Sequence, residues 1–231
     1  IVFLSIFFIV LMSDTGYSFR QDPRIPAANN PLSAELAPAI GRIRNSSNDL
    51  VCTAWIAQGG VLITAGHCAI MGDILEFNVP TSSGSCGQLN PAALEDQYIV
   101  NNIVASNNDG AGNDWKIFEV QNNYITGKQP IEAQLKYLNF VKKNVDNNSV
   151  PDIRLVDYGS DTEPSGTCYK GGSTLKKNSK SGTLQTQLTE NITSNSSDSK
   201  LSIYNVLVEY GSSGGPMIDE STGEVVGLLN I

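Results

Sequence analysis

Three residues far apart in the sequence have side chains that could together transfer an acyl group. His67 is the only histidine of the chain and lies in the run ITAGHC at 63–68. Histidine titrates near neutral pH, so it can take a proton from a hydroxyl. Ser213 lies in GSSGGP at 211–216, where glycines allow a sharp turn whose N–H groups can face a substrate carbonyl. Asp114 opens the apolar run DWKIF, and a buried carboxylate there could hold a histidine in one tautomer.

These motifs resemble those of the chymotrypsin/trypsin family of serine proteases. TAGHC at 64–68 is similar to the family's histidine motif, GSSGGP to its serine motif and DWKIF to its aspartate motif, in the family's order. The resemblance implies that Ser213 is the nucleophile, His67 its general base and Asp114 the residue that orients the imidazole. The N–H groups of Gly211 and Ser213 would form the oxyanion hole. Asp109 is the nearest rival to Asp114 for its role.

The resemblance also implies an all-β fold of two packed, six-stranded, antiparallel Greek-key barrels. The sequence agrees, because short apolar runs alternate with clusters of Gly, Asn, Ser and Pro, a pattern typical of many short strands. The predicted organisation is a partial signal peptide at 1–18, a propeptide or N-terminal arm at 19–33, a barrel carrying His and Asp at 34–125, and a barrel carrying Ser at 126–231. The second barrel is expected to be cut short at the C-terminus.

Two segments are not predicted to form barrel strands. The run from Glu132 to Lys143 places apolar residues on one side of a helix and predicts one short helix. The segment from Lys176 to Lys200 is rich in Ser, Thr, Asn and Lys, which predicts a long exposed loop or a hairpin.

The first residues predict secretion. Ile1–Met12 is almost continuously apolar and polar residues follow at once. The run is too short to span a bilayer, which needs about 20 residues, and it fits the apolar part of a signal peptide. We therefore expect a secreted, extracellular protein without a stable membrane anchor.

The cysteine count agrees with an oxidising compartment. There are four cysteines, which allow three disulfide connectivities: Cys52, Cys68, Cys86 and Cys168. The family resemblance implies that Cys52 pairs with Cys68 beside the histidine, which leaves Cys86 and Cys168 for the second pair. No CxxC motif is present and the one histidine stands outside any ligand cluster, so a zinc site is not expected. The triad chemistry that the resemblance implies needs no metal or organic cofactor.

The composition limits the classes of molecule that the protein is expected to bind. The formal net charge is -8 and basic residues are not clustered, which argues against nucleic acid. A protein or peptide substrate and a monomeric state are expected. In a secretory pathway four Asn-x-Ser/Thr sites could carry glycans: Asn45, Asn147, Asn191 and Asn195.

Two features depart from the family pattern. Ser212 precedes the nucleophile, where trypsin-like zymogens carry an aspartate that pairs with a new N-terminal amine, so that activation mechanism is not expected here. The specificity residue stays unassigned within 204–210. Leu207 at the pocket base would favour apolar side chains, whereas Glu209 would attract Lys or Arg.

Other functions fit less well. The run around Ser213 also matches the nucleophile elbow of α/β-hydrolases, but no histidine follows it, so that fold would lack its base. A non-catalytic protease homologue acting as a secreted binding or regulatory module is the alternative, although it usually lacks a triad residue. A secreted adhesin or structural β-protein is a remote third reading.

Overall fold

The computed structural model describes residues 25–80, 89–108, 114–141, 152–159, 185–189, 192–195, 202–204 and 210–230. The strands are β1 Ile25–Pro26, β2 Ile40–Arg44, β3 Leu50–Ile56, β4 Leu62–Thr64, β5 Ile74–Glu76, β6 Gln97–Asn108, β7 Asp114–Val120, β8 Ile153–Asp157, β9 Gln185–Thr189, β10 Ile192–Asn195, β11 Ser202–Tyr204, β12 Pro216–Asp219 and β13 Val225–Leu228. Two short α-helices lie among them, α1 Pro31–Leu36 and α2 Pro130–Gln134. Single turns of 3-10 helix occupy Ala27–Asn29, Ala37–Ala39, Gln58–Gly60 and Leu94–Asp96.

The first half of the chain forms a closed barrel. Its six strands follow the order β2-β3-β4-β7-β6-β5, and every neighbouring pair is antiparallel. Closure leaves no free sheet edge, and in a barrel the side chains along a strand point alternately toward the interior and away from it. On β7 this alternation buries Asp114, Lys116, Phe118 and Val120, so the predicted catalytic aspartate points inward.

The second half forms a five-stranded antiparallel sheet in the order β1-β9-β8-β12-β13, and β10 pairs with β11 beside it. The buried core of the first barrel continues into this sheet through Val156, Ile218 and Val225. The all-β fold class predicted from the sequence is confirmed, and a shared apolar core joins the two halves.

The helix predicted over 132–143 is wrong. Helix α2 ends at Gln134, and Leu135 adopts a left-handed backbone with φ 53°. The following residues pair with both halves of the molecule instead: Leu138 bridges to Ala57 and Phe140 to Val225. These long-range backbone bonds outweigh a helical pattern that was only weakly apolar.

The segment 176–200 contains strand β9 and strand β10 in its described part, so it is not only a loop. Within the residues that the structure describes, no helix is long and apolar enough to cross a membrane. The predicted signal peptide at 1–18 lies outside the described residues, and the predicted domain boundaries stay predictions.

Candidate active site

His67 and Asp114 are joined by two hydrogen bonds. The Nδ1 atom of His67 lies 2.6 Å from Oδ2 of Asp114, and the backbone N–H of His67 donates to Oδ1 at 2.9 Å. The carboxylate is almost fully buried, whereas the imidazole is about one third exposed. One carboxylate therefore fixes both the backbone and the ring of the histidine, while part of the ring still faces solvent.

The backbone around this pair leaves no room for a further side chain. A Cβ atom on Gly66 would overlap the Asn107 carbonyl of β6 and the Asp114 carboxylate. Glycine at this position therefore lets the His67 turn lie directly against β6 and β7. This close approach explains why the turn carries a glycine although its φ is not left-handed.

A buried lysine holds the chain just after His67. Lys116, two residues after Asp114 on the same face of β7, donates from Nζ to the carbonyl oxygens of Cys68 and Ala69. Ala69 has φ 52°, a conformation that costs energy for a residue with a Cβ. Desolvation by burial lowers the pKa of Lys116, and the charges of Asp114 and Asp73 oppose that shift.

A disulfide joins Cys52 to Cys68, as the family resemblance implied. Within the described residues, one group of three possible metal ligands exists, formed by these two sulfurs and His67. Because both sulfurs are engaged in the disulfide, they offer no thiolate to a metal. The chemistry of this cluster is therefore that of a cross-link beside a histidine.

The serine motif lies against the residues of this disulfide and their neighbours. Thr53, next to Cys52, donates its backbone N–H to the Ser213 carbonyl at 2.8 Å. The Sγ atom of Cys68, the neighbour of His67, lies 4.0 Å from the same carbonyl oxygen. Residues far apart in the sequence thus meet where the two halves of the molecule pack together.

We call Gly211–Gly215 the nucleophile loop, because it contains Ser213, the nucleophile predicted from the sequence. Gly211 and Gly214 have φ values of 95° and 85°, which favour glycine. A Cβ atom on Gly214 would overlap the Thr53 carbonyl and the Thr64 hydroxyl. The N–H of Gly214 donates to the Leu229 carbonyl at 2.8 Å, so the loop is also tied to the end of β13.

The residue before Ser213 is held by a buried carboxylate. The hydroxyl of Ser212 donates to Oδ1 of Asp157 at 3.0 Å, and the N–H of Gly159 donates to the same oxygen at 2.6 Å. Both Ser212 and Asp157 are buried. The sequence offered no signal for this pair, because Asp157 lies in an apolar strand remote from every motif.

Other predicted residues give less information. Asn45 is half-buried in the β2–β3 turn, where its Oδ1 accepts from the Asp49 N–H at 2.9 Å, and its glycosylation stays a prediction. Asn195 lies in β10. Several positions lie outside the described residues: Cys86, Asp109, Asn147, Cys168, Asn191 and the specificity segment 205–209. The pairing of Cys86 with Cys168 therefore stays a prediction.

Comparison with known proteins identifies the family to which the chain is similar. The model of the trypsin family matches residues 29–231. No curated protein sequence matches the chain. Among solved structures, a thermostable serine protease, AL20, from an extremophilic microorganism is similar with a TM-score of 0.53 and 13% identity, over 82% of each chain. The VesB protease of Vibrio cholerae is similar with a TM-score of 0.52 and 13% identity, over 92% of this chain and 60% of that one.

A closed β-barrel sharing its core with a second β-sheet, with a His–Asp pair in one half and a serine in a glycine-rich turn in the other, defines the class of two-barrel serine proteases. The family match covers most of the sequence, whereas the structural similarities, at this low identity, concern the fold alone. The chain belongs to the trypsin family. Membership of this family supports a proteolytic function in general terms.

Proposed function

We propose that the protein is a secreted serine endopeptidase that uses Ser213 as its nucleophile. The observation that carries the proposal is the His67–Asp114 pair, in which one buried carboxylate binds both the ring Nδ1 and the backbone N–H of the histidine. Such a carboxylate selects the tautomer with its proton on Nδ1 and leaves Nε2 as a base. The trypsin-family match over residues 29–231 supports the same chemistry.

The proposed reaction has two halves. His67 takes the hydroxyl proton of Ser213 as the serine oxygen bonds to a peptide carbonyl carbon, and Asp114 stabilises the imidazolium that forms. The imidazolium then protonates the leaving amine, and an acyl-enzyme remains. Water attacks this ester with His67 again as the base, which releases the acid and restores the serine.

The oxyanion of the tetrahedral intermediate would be held by the N–H groups of Gly211 and Ser213. The positive φ of Gly211 supports this role, because it allows a tight turn in which successive N–H groups converge. Removal of one such donor typically costs about 100- to 1000-fold in kcat, so the geometry of this turn has a large effect on rate.

The remaining parts of the proposal concern its setting. The disulfide Cys52–Cys68 supports an oxidising, extracellular location, since such cross-links are rare in reducing compartments. The substrate class is protein or peptide, as for the family. We propose that the protein acts as a monomer and that no metal or organic cofactor takes part in the reaction.

Covalent labelling of the purified protein with a fluorophosphonate probe tests the proposal. The probe reacts with a serine hydroxyl only when a neighbouring base and an oxyanion site activate it. We expect labelling of the wild type, mapped to Ser213 by peptide mass spectrometry, and none of Ser213→Ala. His67→Ala should lower turnover of a peptide substrate by several orders of magnitude, on the order of 10⁶-fold.

Ser212→Ala is the matched control, because it removes the neighbouring serine hydroxyl and keeps the hydroxyl of Ser213. This variant should still be labelled, at Ser213. A wild type that folds, as judged by cooperative thermal unfolding, and yet shows neither labelling nor peptide turnover would refute the enzyme assignment and favour a binding module.

A further inference from the structure

Thr53 contacts the nucleophile loop through both its backbone and its side chain, although it belongs to β3 of the first barrel. Its N–H donates to the Ser213 carbonyl at 2.8 Å, and its hydroxyl donates to the Gly211 carbonyl at 2.9 Å. The same hydroxyl accepts from the N–H of Tyr158 at 2.9 Å. Thr53 is fully buried, so water does not compete for these bonds.

The direction of the Thr53 hydroxyl proton follows from this arrangement. A hydroxyl carries one proton and two lone pairs. Since the Tyr158 N–H occupies a lone pair, the proton can point to the Gly211 carbonyl without competition from that donor. Bonds that are already oriented in the resting protein need no reorganisation when charge develops in the loop.

The two carbonyls that Thr53 binds lie on either side of one peptide group. The Gly211 carbonyl belongs to the peptide 211–212 and the Ser213 carbonyl to the peptide 213–214. Between them lies the peptide 212–213, whose N–H is an oxyanion donor in the proposed mechanism. Gly211 adopts φ 95° and, as a glycine, has wide backbone freedom. Fixing the planes on both sides therefore limits the rotation of the donor between them.

We propose that Thr53 is a positioning residue for the oxyanion hole, with its hydroxyl fixing the plane of the Gly211–Ser212 peptide. This role rests on the proposed protease function. It couples the two halves of the molecule, because a side chain of the first barrel sets backbone geometry in the loop of the second. The hydroxyl acts on the transition state, whereas binding of the ground-state substrate does not require it.

The variants Thr53→Ser and Thr53→Ala test the role, because both are smaller than threonine and differ from each other only in the hydroxyl. We expect Thr53→Ser to retain kcat within about threefold and Thr53→Ala to lose about 10- to 100-fold, the size expected for a displaced oxyanion donor. KM should stay within about twofold in both. Affinity for a peptide aldehyde, which forms an oxyanion with the serine, should fall in parallel with kcat.

Thr64 supplies the matched control pair. Its hydroxyl is also buried and donates to the Thr53 carbonyl at 2.7 Å, but it makes no bond to the Gly211 or Ser213 carbonyls among those the structure describes. Thr64→Ser and Thr64→Ala should differ in stability and agree in kcat within about threefold. The positioning role is wrong if the Ser and Ala variants of Thr53 have the same kcat. It is also wrong if the Ser and Ala variants of Thr64 differ in kcat by as much as those of Thr53.

Amide hydrogen exchange of residues 211–215 gives a readout that does not depend on catalysis. We expect faster exchange in Thr53→Ala than in Thr53→Ser, because the loop opens more readily without the tether. A wild type that is folded but inactive would overturn the protease proposal. A wild type that is active, with equal kcat and equal loop exchange in the two Thr53 variants, would overturn the role of Thr53 alone.

Discussion

The histidine side and the nucleophile side of the site are held in different ways. His67 and Asp114, both from the first barrel, are joined directly by two hydrogen bonds, and the alternation along β7 points Asp114 inward. Ser213 lies in a loop whose backbone carbonyls are held by Thr53 and whose neighbour Ser212 is bound to Asp157. The second side is thus positioned by residues that have no chemical role in the proposed mechanism.

This difference has a physical reason. A base and its orienting acid exert their effect through side-chain atoms, so a direct hydrogen bond is enough to fix them. A nucleophile with an oxyanion hole depends on the backbone N–H groups of a turn, and a turn is fixed only when its peptide planes are fixed. We therefore expect substitutions on the histidine side to act through the direct His67–Asp114 contact, and those on the nucleophile side to act through several residues that together fix the loop.

The largest expected effect comes from breaking the direct bond. In the wild type both carboxylate oxygens of Asp114 accept hydrogen bonds from His67. Asp114→Asn replaces one of these oxygens by an NH₂ group, which can only donate. One of the two bonds becomes a clash of donors unless the ring changes tautomer. We expect kcat to fall by about 10⁴-fold, the cost of the wrong tautomer in this type of triad. Steady-state kinetics on a peptide substrate measures the loss.

Asp73→Asn is the control for that experiment. Asp73 is another buried carboxylate, in the segment between β4 and β5 that carries His67, and its Oδ2 accepts from the Ile70 N–H at 2.9 Å. It should lose stability and keep kcat within about tenfold. Comparable kinetic losses in the two variants would mean that burial of charge, and not the orientation of His67, explains the effect.

Next in size are two glycine substitutions that compare the sides directly. Gly66→Ala drives a Cβ into the Asp114 carboxylate and the Asn107 carbonyl, whereas Gly214→Ala drives one into Thr53 and Thr64 at a positive φ. A displacement of about 1 Å at a catalytic group costs about 100-fold, and we expect losses of this size in kcat/KM for both. Thermal unfolding confirms that each variant is folded.

Double variants show through which residues the two glycines act. On an Asp114→Asn background, Gly66→Ala should cost little more, because the bond that it disturbs is already lost. Gly214→Ala should lower kcat/KM by the same factor on the Asp114→Asn background as in the wild type. On a Thr53→Ala background it should lower kcat/KM by a smaller factor. If the free-energy effects of the two substitutions simply add in all three double variants, the division of the site into two separately held sides is wrong.

The candidate residues on the histidine side could be predicted from the sequence because their motifs resemble those of the chymotrypsin/trypsin family. The same resemblance implied the Cys52–Cys68 pair that the structure contains. The hydropathy of β7 alone would not have placed Asp114 inward, because the strand buries Asp114 and Lys116 and exposes Trp115 between them. The all-β fold was predictable both from this resemblance and from the short apolar runs that alternate with turn clusters along the chain.

The frame of the nucleophile loop could not be predicted from the sequence. Thr53 and Asp157 lie in apolar strands where nothing in the local pattern distinguishes them, and the contacts of Thr53 with the loop span 158 residues. The helix predicted over 132–143 failed for a related reason, because Leu138 and Phe140 are fixed by backbone partners in distant strands. Contacts of this kind depend on how the two halves pack.

The smallest expected effect tests whether the histidine side tolerates the loss of a supporting bond. Lys116→Met removes the donor to the Cys68 and Ala69 carbonyls, but His67 stays bound to Asp114 and next to the disulfide. We expect kcat/KM to fall less than about tenfold, which corresponds to about 1.4 kcal/mol. A loss comparable to that of Asp114→Asn would show that the histidine, too, depends on several residues that together fix it.

The pH dependence of stability, measured for the wild type and the same variant Lys116→Met, tests whether the Lys116 ammonium group is buried. Burial lowers the pKa of Lys116 in the folded state below its ordinary value of 10.5. As pH rises toward that value, the folded protein releases the proton before the unfolded chain does, so the unfolded state binds more protons and stability rises with pH. The free energy of unfolding of the wild type, measured with urea, should therefore increase relative to Lys116→Met from neutral pH to 10.5. Lys136→Met, which removes a lysine paired with Glu35 at the surface, should show no such rise, and an equal rise in both comparisons would rule out burial as its cause.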